Sequence, residues 1–533
     1  MIFTGGTILT GDPGRPRAEA AAVDGGRVVA LDGEALERRD GATEVVDLAG
    51  GCLVAGFHDG HIHPLYGGTE LGDAPIGGSA SVDEVLDRLR AYAAANPGKA
   101  WVTGGGYEPS LLPGGNGDAE VLDRAVPDRP ALIWATDHHT AWANSAALAA
   151  AGIDERTPDP PAGTIVRRAD GRPLGALLES AAELVAQLVP APTAAEKGDG
   201  LGRALPLMAA AGITWAQEAA LAPDDLGVYL DLAATGRLTC RVNVAFRSSP
   251  SRWRDQLAPF AAARARAADE GGDLVTARTV KFFADGVVEA GTAAMLEPYE
   301  DAPHSCGLPN WPAEELAEAV AAFDAAGFQV HVHAIGDGGI RAALDAVEHA
   351  AARNGPRDRR PVIAHTQVVH PDDLPRFAKL GVIANFEPLW AQLDPVMVDL
   401  TEPRLGAERS RWQYPIGAIA RSGATVGFGS DWPVSSLVPT EGMAVAVTRR
   451  TPDGVPPDGW LPEQRVTSDL AVAAYTAAGA WQAFAEADAG AVTPGRRADL
   501  CLLADDPTTV GEGDLAGLPV LGTWLGGREV FRR

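Results

Sequence analysis

The chain has 533 residues, 46% hydrophobic and 22% charged, which exceeds one small core and excludes a disordered or low-complexity protein. Its net charge of −27 argues against nucleic acid and anionic membrane surfaces as partners and leaves a small-molecule substrate as the expected one. The sequence has no basic-then-apolar leader, no apolar run of about 18 residues and only four dispersed cysteines, Cys52, Cys240, Cys306 and Cys501, so a cytoplasmic, reducing setting is expected. A homodimer is left open.

Residues 1 to 51 read as short strands, among them Thr7-Ile8-Leu9-Thr10 and Arg27-Val28-Val29-Ala30-Leu31, punctuated by Gly, Asp and Pro. The same texture returns after residue 485, at 498–503 and 520–525, with a hairpin turn at Gly526-Gly527-Arg528-Glu529. Chain termini tend to lie together, so 1–51 and 485–533 are expected to form one composite β-sandwich domain. Between them, residues 52–484 alternate strand-like and helix-like segments, the pattern of βα units on a parallel sheet. Strands are predicted at 52–57, 212–218, 239–246, 278–284, 328–334, 361–366, 381–386 and 424–429, with helices at 313–326, 338–352 and 371–379. Eight strands in that order predict an α/β fold of the (β/α)8 TIM-like barrel type. The interval at about 65–210 is too long for a single crossover. It carries its own helices and the turn prolines Pro158, Pro160 and Pro161, so it is expected to be an inserted lobe over the barrel mouth.

The predicted strand ends carry the chemistry, because a barrel's active site lies at its carboxyl face. In Gly56-Phe57-His58-Asp59-Gly60-His61-Ile62-His63-Pro64, His61 and His63 are two apart and point the same way on an extended backbone. Alone they are as consistent with two satisfied loop or core histidines as with a metal site. Gln329-Val330-His331-Val332-His333-Ala334 repeats the spacing, Pro361-Val362-Ile363-Ala364-His365 ends in a histidine, and Val426-Gly427-Phe428-Gly429-Ser430-Asp431 ends in an aspartate. Four strand ends bearing His-x-His, His-x-His, His and Asp form a set of donors suited to a divalent metal. Lys281, one of only four lysines, sits inside the apolar strand Thr279-Val280-Lys281-Phe282-Phe283. A buried lysine must be neutralised or paired. It either carries a carbamate able to bridge two metals or forms an ion pair with Asp285 or Asp431.

The ordered set resembles the metal-dependent amidohydrolase superfamily, and more narrowly the amidohydrolase 3 family that includes N-substituted formamide deformylases. The resemblance spans essentially the whole chain. Gly56 to His63 resembles the family's first metal motif, with Ala55 in place of the usual proline. Lys281-Phe282-Phe283-Ala284-Asp285-Gly286, His333-Ala334-Ile335-Gly336-Asp337 and Gly429-Ser430-Asp431-Trp432-Pro433 are similar to its later blocks, and the insert carries His139-Thr140-Ala141-Trp142-Ala143-Asn144. The resemblance implies that His61 and His63 hold the more buried metal, that carbamylated Lys281 bridges, and that His333 and His365 hold a second. Asp431 would bind metal and act as general base. One or two divalent ions are implied, zinc first among them. Asp59 and Asp337 are expected to orient ligand histidines and His331 to lie behind them. His139 and Glu387 are expected near the substrate, with Glu387 standing where relatives often have glutamine. The implied reaction is hydrolysis of a non-peptide C–N bond, in a small amide, formamide or cyclic amide, by metal-activated water. A deaminase or isomerase on the same barrel, a non-enzymatic regulatory or binding protein, and a Schiff-base enzyme using Lys281 are the alternatives.

Overall fold

The computed structural model describes residues 1–161 and 163–533. Its centre is a sheet of eight parallel strands: β1 (Phe57–Ile62), β2 (Ile213–Leu221), β3 (Arg241–Arg247), β4 (Val275–Phe283), β5 (Gln329–Ala334), β6 (Val362–His365), β7 (Ile383–Phe386) and β8 (Val426–Phe428). Each pairs with the next in parallel register. The ends are drawn together beyond the last rung, where Asp431 N donates to His61 O at 2.7 Å and His63 N to Trp432 O at 2.9 Å. A side chain at Gly429 would place its Cβ 2.7 Å from His61 N, so this approach of β8 to β1 requires glycine. The result is a nearly closed barrel, wrapped on its later half by helices Ala313–Ala325, Asp337–Asn354 and Leu374–Leu380.

Seven of the predicted strands recur within a few residues, and the first does not. Cys52–Ala55 belongs to another sheet, where it pairs antiparallel with Leu500–Leu503, and the barrel strand begins only after Gly56. That other sheet has eight strands drawn from both termini, with its core around Trp524 set edge-on to Phe3 at 5.0 Å. Arg241 of β3 ties it to the barrel, donating from Nε to Asp499 Oδ2 at 2.7 Å. Within the long interval, Val102–Tyr107, Ala131–Ala135, Thr140–Ala143, Gly163–Arg167 and Pro173–Glu179 form a five-stranded sheet. Tyr107 and Trp142 are each 1% exposed in one core cluster of the insert, and Trp101 packs against a second around Leu132 and Ala141, so these aromatics stabilise the insert. Among the described residues no helix is long and apolar enough to cross a membrane.

Candidate metal centre

The strand ends deliver a continuous row of imidazoles. Ring centroids of His63 and His61 lie 5.4 Å apart, His61 and His365 4.7 Å, His365 and His333 4.5 Å, and His333 and His139 of the insert 5.1 Å. Strand alternation explains the first pair, since two residues separated by one share a face. Backbone conformation explains others: His365 and Asp431 both adopt left-handed φ, 71° and 53°, at the points where β6 and β8 end. Such a conformation in a non-glycine residue costs on the order of 1–3 kcal/mol and is typical of functional sites.

Donor atoms of His61, His63 and Asp431 lie within 4.8 Å of one another, close enough to share one ion. Asp431 Oδ1 stands 3.0 Å from His63 Nε2 and 3.4 Å from His61 Nε2. Lys281 Nζ lies 3.2 Å from His61 Nε2, which places it at the same point. One buried atom on this surface, His365 Nε2, has no hydrogen-bond partner, and Asp431 Oδ1 has only the imidazoles of His63 and His61 beside it. Unpaired buried acceptors are costly unless an ion or water completes them, so the donor set fits a divalent cation.

The far nitrogens of these rings are held from behind. His61 Nδ1 meets His331 Nε2 at 2.8 Å, His365 Nδ1 meets Glu387 Oε2 at 2.8 Å, and His63 Nδ1 faces Glu218 Oε1 at 3.6 Å. That is how ligand histidines are usually fixed in tautomer and orientation. His333 instead turns Nε2 toward Gly286 O at 3.1 Å, with Asp285 Oδ1 3.7 Å away.

Electrostatics follow from burial. Loss of solvent, reinforced for His61 and His333 by nearby cations, holds His61, His333 and His365 well below the usual histidine range, in the neutral form that coordinates. Burial acts on His63 in the same direction, but Asp431 and Glu218 outweigh it and push this residue up to about 9. Lys281, 0% exposed, is brought down to about 7 by burial, only partly offset by Asp431 and Glu387. It makes no ion pair with Asp285 or Asp431, so the structural pairing left open by the sequence is absent.

Several expectations need correction. Asp337 touches no imidazole; it accepts from Leu296 N and Gly338 N at 2.9 Å each, at the start of helix Asp337–Asn354. Asp59 accepts from Ser430 N, Ser430 Oγ and the backbone N of His61, so it fastens β1 to the Asp431 turn and orients no ring. Glu387 is 0% exposed behind His365, where it holds Nδ1, and is not among the residues lining the cavity. His139 does line the cavity and is held by Glu179 at 2.8 Å. Glu218 was missed. It stands in the apolar strand Ile213–Leu221, fixed by the Tyr229 hydroxyl and by Leu65 N at 3.3 Å, and a carboxylate buried in such a run was the available signal.

The sequence model of the Amidohydrolase family matches residues 44–531. The chain is 30% identical over its full length to Protein LONG AFTER FAR-RED 3 of Arabidopsis thaliana, covering 91% of that protein. It is 26% identical, again over its full length and 98% of the relative, to the N-substituted formamide deformylase of Arthrobacter pascens. Its fold matches an uncharacterized metal-dependent hydrolase from Pyrococcus horikoshii OT3 with a TM-score of 0.74, at 24% identity over 96% of this chain and 99% of that one.

Proposed function

The chain belongs to the amidohydrolase family, and from that premise we propose that it hydrolyses a non-peptide C–N bond in a small amide, formamide or cyclic amide with the help of a divalent metal, zinc first. The observation that carries the reading is the convergence of His61, His63 and Asp431 donor atoms beside the unpartnered buried His365 Nε2. His61, His63 and Asp431 would hold one ion, with His365, His333 and a carbamylated Lys281 extending the site to a second. A cation bound there supplies Lewis-acid polarisation of a carbonyl and lowers the pKa of water towards 7.

The chain's own residues do the rest. Asp431, aimed into the mouth by its left-handed backbone, accepts the proton released by the attacking water and returns it to the departing nitrogen, as base and then acid. Glu218, Glu387 and His331 keep the imidazole lone pairs turned to the mouth. Lys281 contributes an uncharged amine, which burial favours and which carbamylation requires. We read the sheet built from both termini as the small β-sandwich domain, extended past the expected boundary at 51 to include Cys52–Ala55 and closed by 485–533, and the interval 65–210 as a lobe over the mouth of the barrel that begins at Phe57 and runs to 484.

The test is a panel of N-alkyl formamides, cyclic amides, dipeptides and aminated heterocycles, followed by amine and ammonia release. Hydrolysis of amides that is abolished by exhaustive chelation and restored by zinc is expected. Turnover that survives chelation would overturn the reading. Ammonia release from heterocycles alone would move the assignment to a deaminase.

A further inference from the structure

The metal-facing side chains open into a cavity of about 450 Å3, within the range of small-ligand sites. Its floor is made by strand ends, including His333, His365 and Asp431. Its rim has a different chemistry. Glu108 and Asp137 come from the insert, Glu289 from the loop after β4, and Asp394 from the segment after β7, and all four line the cavity. Among the described residues no lysine or arginine lines it.

Four carboxylates gathered in one partly buried concavity repel each other, and the one cationic side chain lining it, His139, is itself paired with Glu179 at 2.8 Å. Thr401 Oγ1 donates to Glu289 at 2.7 Å, Met397 N to Asp394 at 2.8 Å, and His139 N to Asp137 at 2.8 Å. These backbone and hydroxyl donors are uncharged, and the His139 imidazolium offsets only Asp137 among the four. Burial pushes Glu108 and Asp394 up and brings Asp137 to about 6, and in each case a neighbouring carboxylate adds to the rise.

A second, independent feature points the same way. Gln392, 9% exposed, lines the same cavity and donates from Nε2 to Leu389 O at 2.8 Å. That bond fixes the amide's orientation and leaves Oε1 buried with no partner. The rim therefore offers charged and neutral acceptors, and its one charged donor, His139, is taken up by Glu179. Trp390, stacked on His365 with ring centroids 5.4 Å apart, adds an aromatic surface to the same wall. Aromatic faces attract organic cations.

The acceptors are spread out. Among the described residues the donor atoms of His61, His63 and Asp431 form the cluster tight enough for a metal ion, and the rim carboxylates form none. A bare ion would need them at one point; an ammonium group on a flexible chain, with three donors and no acceptor, can use them where they stand.

We propose that the substrate is an amide carrying a protonated amine, with its carbonyl at the metal end and its ammonium among Glu108, Asp137, Glu289, Asp394 and Gln392 Oε1. This rests on the hydrolase reading for the carbonyl, but the cation site is testable without it.

Two measurements on the zinc-loaded protein separate the claims. The first compares kcat/KM for N-(4-aminobutyl)formamide and N-pentylformamide, which match in length and differ in charge. The second titrates 1,4-diaminobutane calorimetrically and needs no turnover. The cationic amide is expected to be favoured by about 100-fold, the order expected for a desolvated charge pair. The diamine is expected to bind saturably, and both effects should fall at least tenfold in Glu289→Gln and in Asp394→Asn, which keep side-chain size. Retained melting temperature would confirm that those variants fold. Hydrolysis of both amides without preference, together with no diamine binding, would overturn the cation site and leave the hydrolase. Diamine binding lost in the variants, with neither amide cleaved, would uphold the cation site and overturn the hydrolase. Diamine binding unchanged in both variants would overturn the assignment to these residues.

Discussion

The His365–Glu387 pair offers the sharpest test of the metal centre. Glu387 is 0% exposed, and its Oε2 lies 2.8 Å from His365 Nδ1, while His365 Nε2 is buried without a partner. If Nε2 is a metal ligand, Glu387 fixes its tautomer and raises its basicity, and loss of such a partner typically costs 10–100-fold in metal affinity. Glu387→Gln retains an acceptor oxygen and should sit at the low end, about tenfold or ~1.4 kcal/mol. Glu387→Ala removes the acceptor and should approach 100-fold, about 2.7 kcal/mol, with a further stability loss of about 1–3 kcal/mol for the unsatisfied imidazole donor. The assay is zinc competition against a chromophoric chelator on stripped protein, with chemical denaturation alongside. Glu179→Gln is the control, because His139 and Glu179 have the same 2.8 Å separation but lie outside the proposed ligand set; its zinc affinity should equal wild type. Equal zinc affinity in wild type, Glu387→Gln and Glu387→Ala would refute a ligand role for His365.

Further outcomes follow from the same geometry. Asp431→Asn should lower kcat by at least about 100-fold, the contribution of a positioned general base, and should release zinc as measured by elemental analysis; activity within threefold of wild type would remove Asp431 from its role. Lys281→Met should abolish any bicarbonate-dependent mass increase of the intact protein, and an adduct that persists would place carbamylation elsewhere. Diamine affinity should rise with pH through about 6, because burial raises Asp137 to that value and protonation below it removes negative charge. Glu108 and Asp394 are shifted the same way, and His139, held at about 9, keeps its charge across the window. A flat calorimetric profile from pH 5 to 8 would contradict this. Arg241→Met strips Asp499 of its buried partner and should cost about 3–5 kcal/mol in denaturant unfolding; a loss under 1 kcal/mol would mean the pair carries little.

Seven barrel strands were legible because each carries a buried apolar stretch set off by turns or helix-like segments. The first was misplaced for the converse reason. Cys52–Ala55 is the apolar run, but the barrel strand Phe57–Ile62 contains His58, Asp59 and His61, all buried, and polarity concealed it. The candidate ligand positions were legible because an imidazole or carboxylate at a strand end is locally anomalous. Their supports were not, since Glu218 reaches His63 from another strand and only the fold brings the two together. Asp337 misled because an acidic residue after a histidine strand also suits a helix start, which is where it serves. The five-stranded sheet of the insert was hidden by strands as short and alanine-rich as Thr140–Ala143, where neither period stands out.

The one-residue boundary at Gly56 bears on how the metal centre is built. Gly56 N donates to Asp499 O at 2.9 Å, and the carboxylate of Asp499 holds Arg241 of β3 and accepts from Gly526 N at 2.6 Å. A Cβ at position 56 would lie 2.3 Å from Thr214 Cγ2 of β2, so the chain can pass from one sheet to the other here only as glycine. The terminal sheet, β1, β2 and β3 therefore meet at a single point, five residues before His61, with no loop between to absorb error. The positions of His61 and His63 are set as much by the Leu500–Leu503 pairing as by the barrel itself. Deleting the terminal strands should then cost the proposed metal site directly, through His61 and His63, rather than only through overall stability.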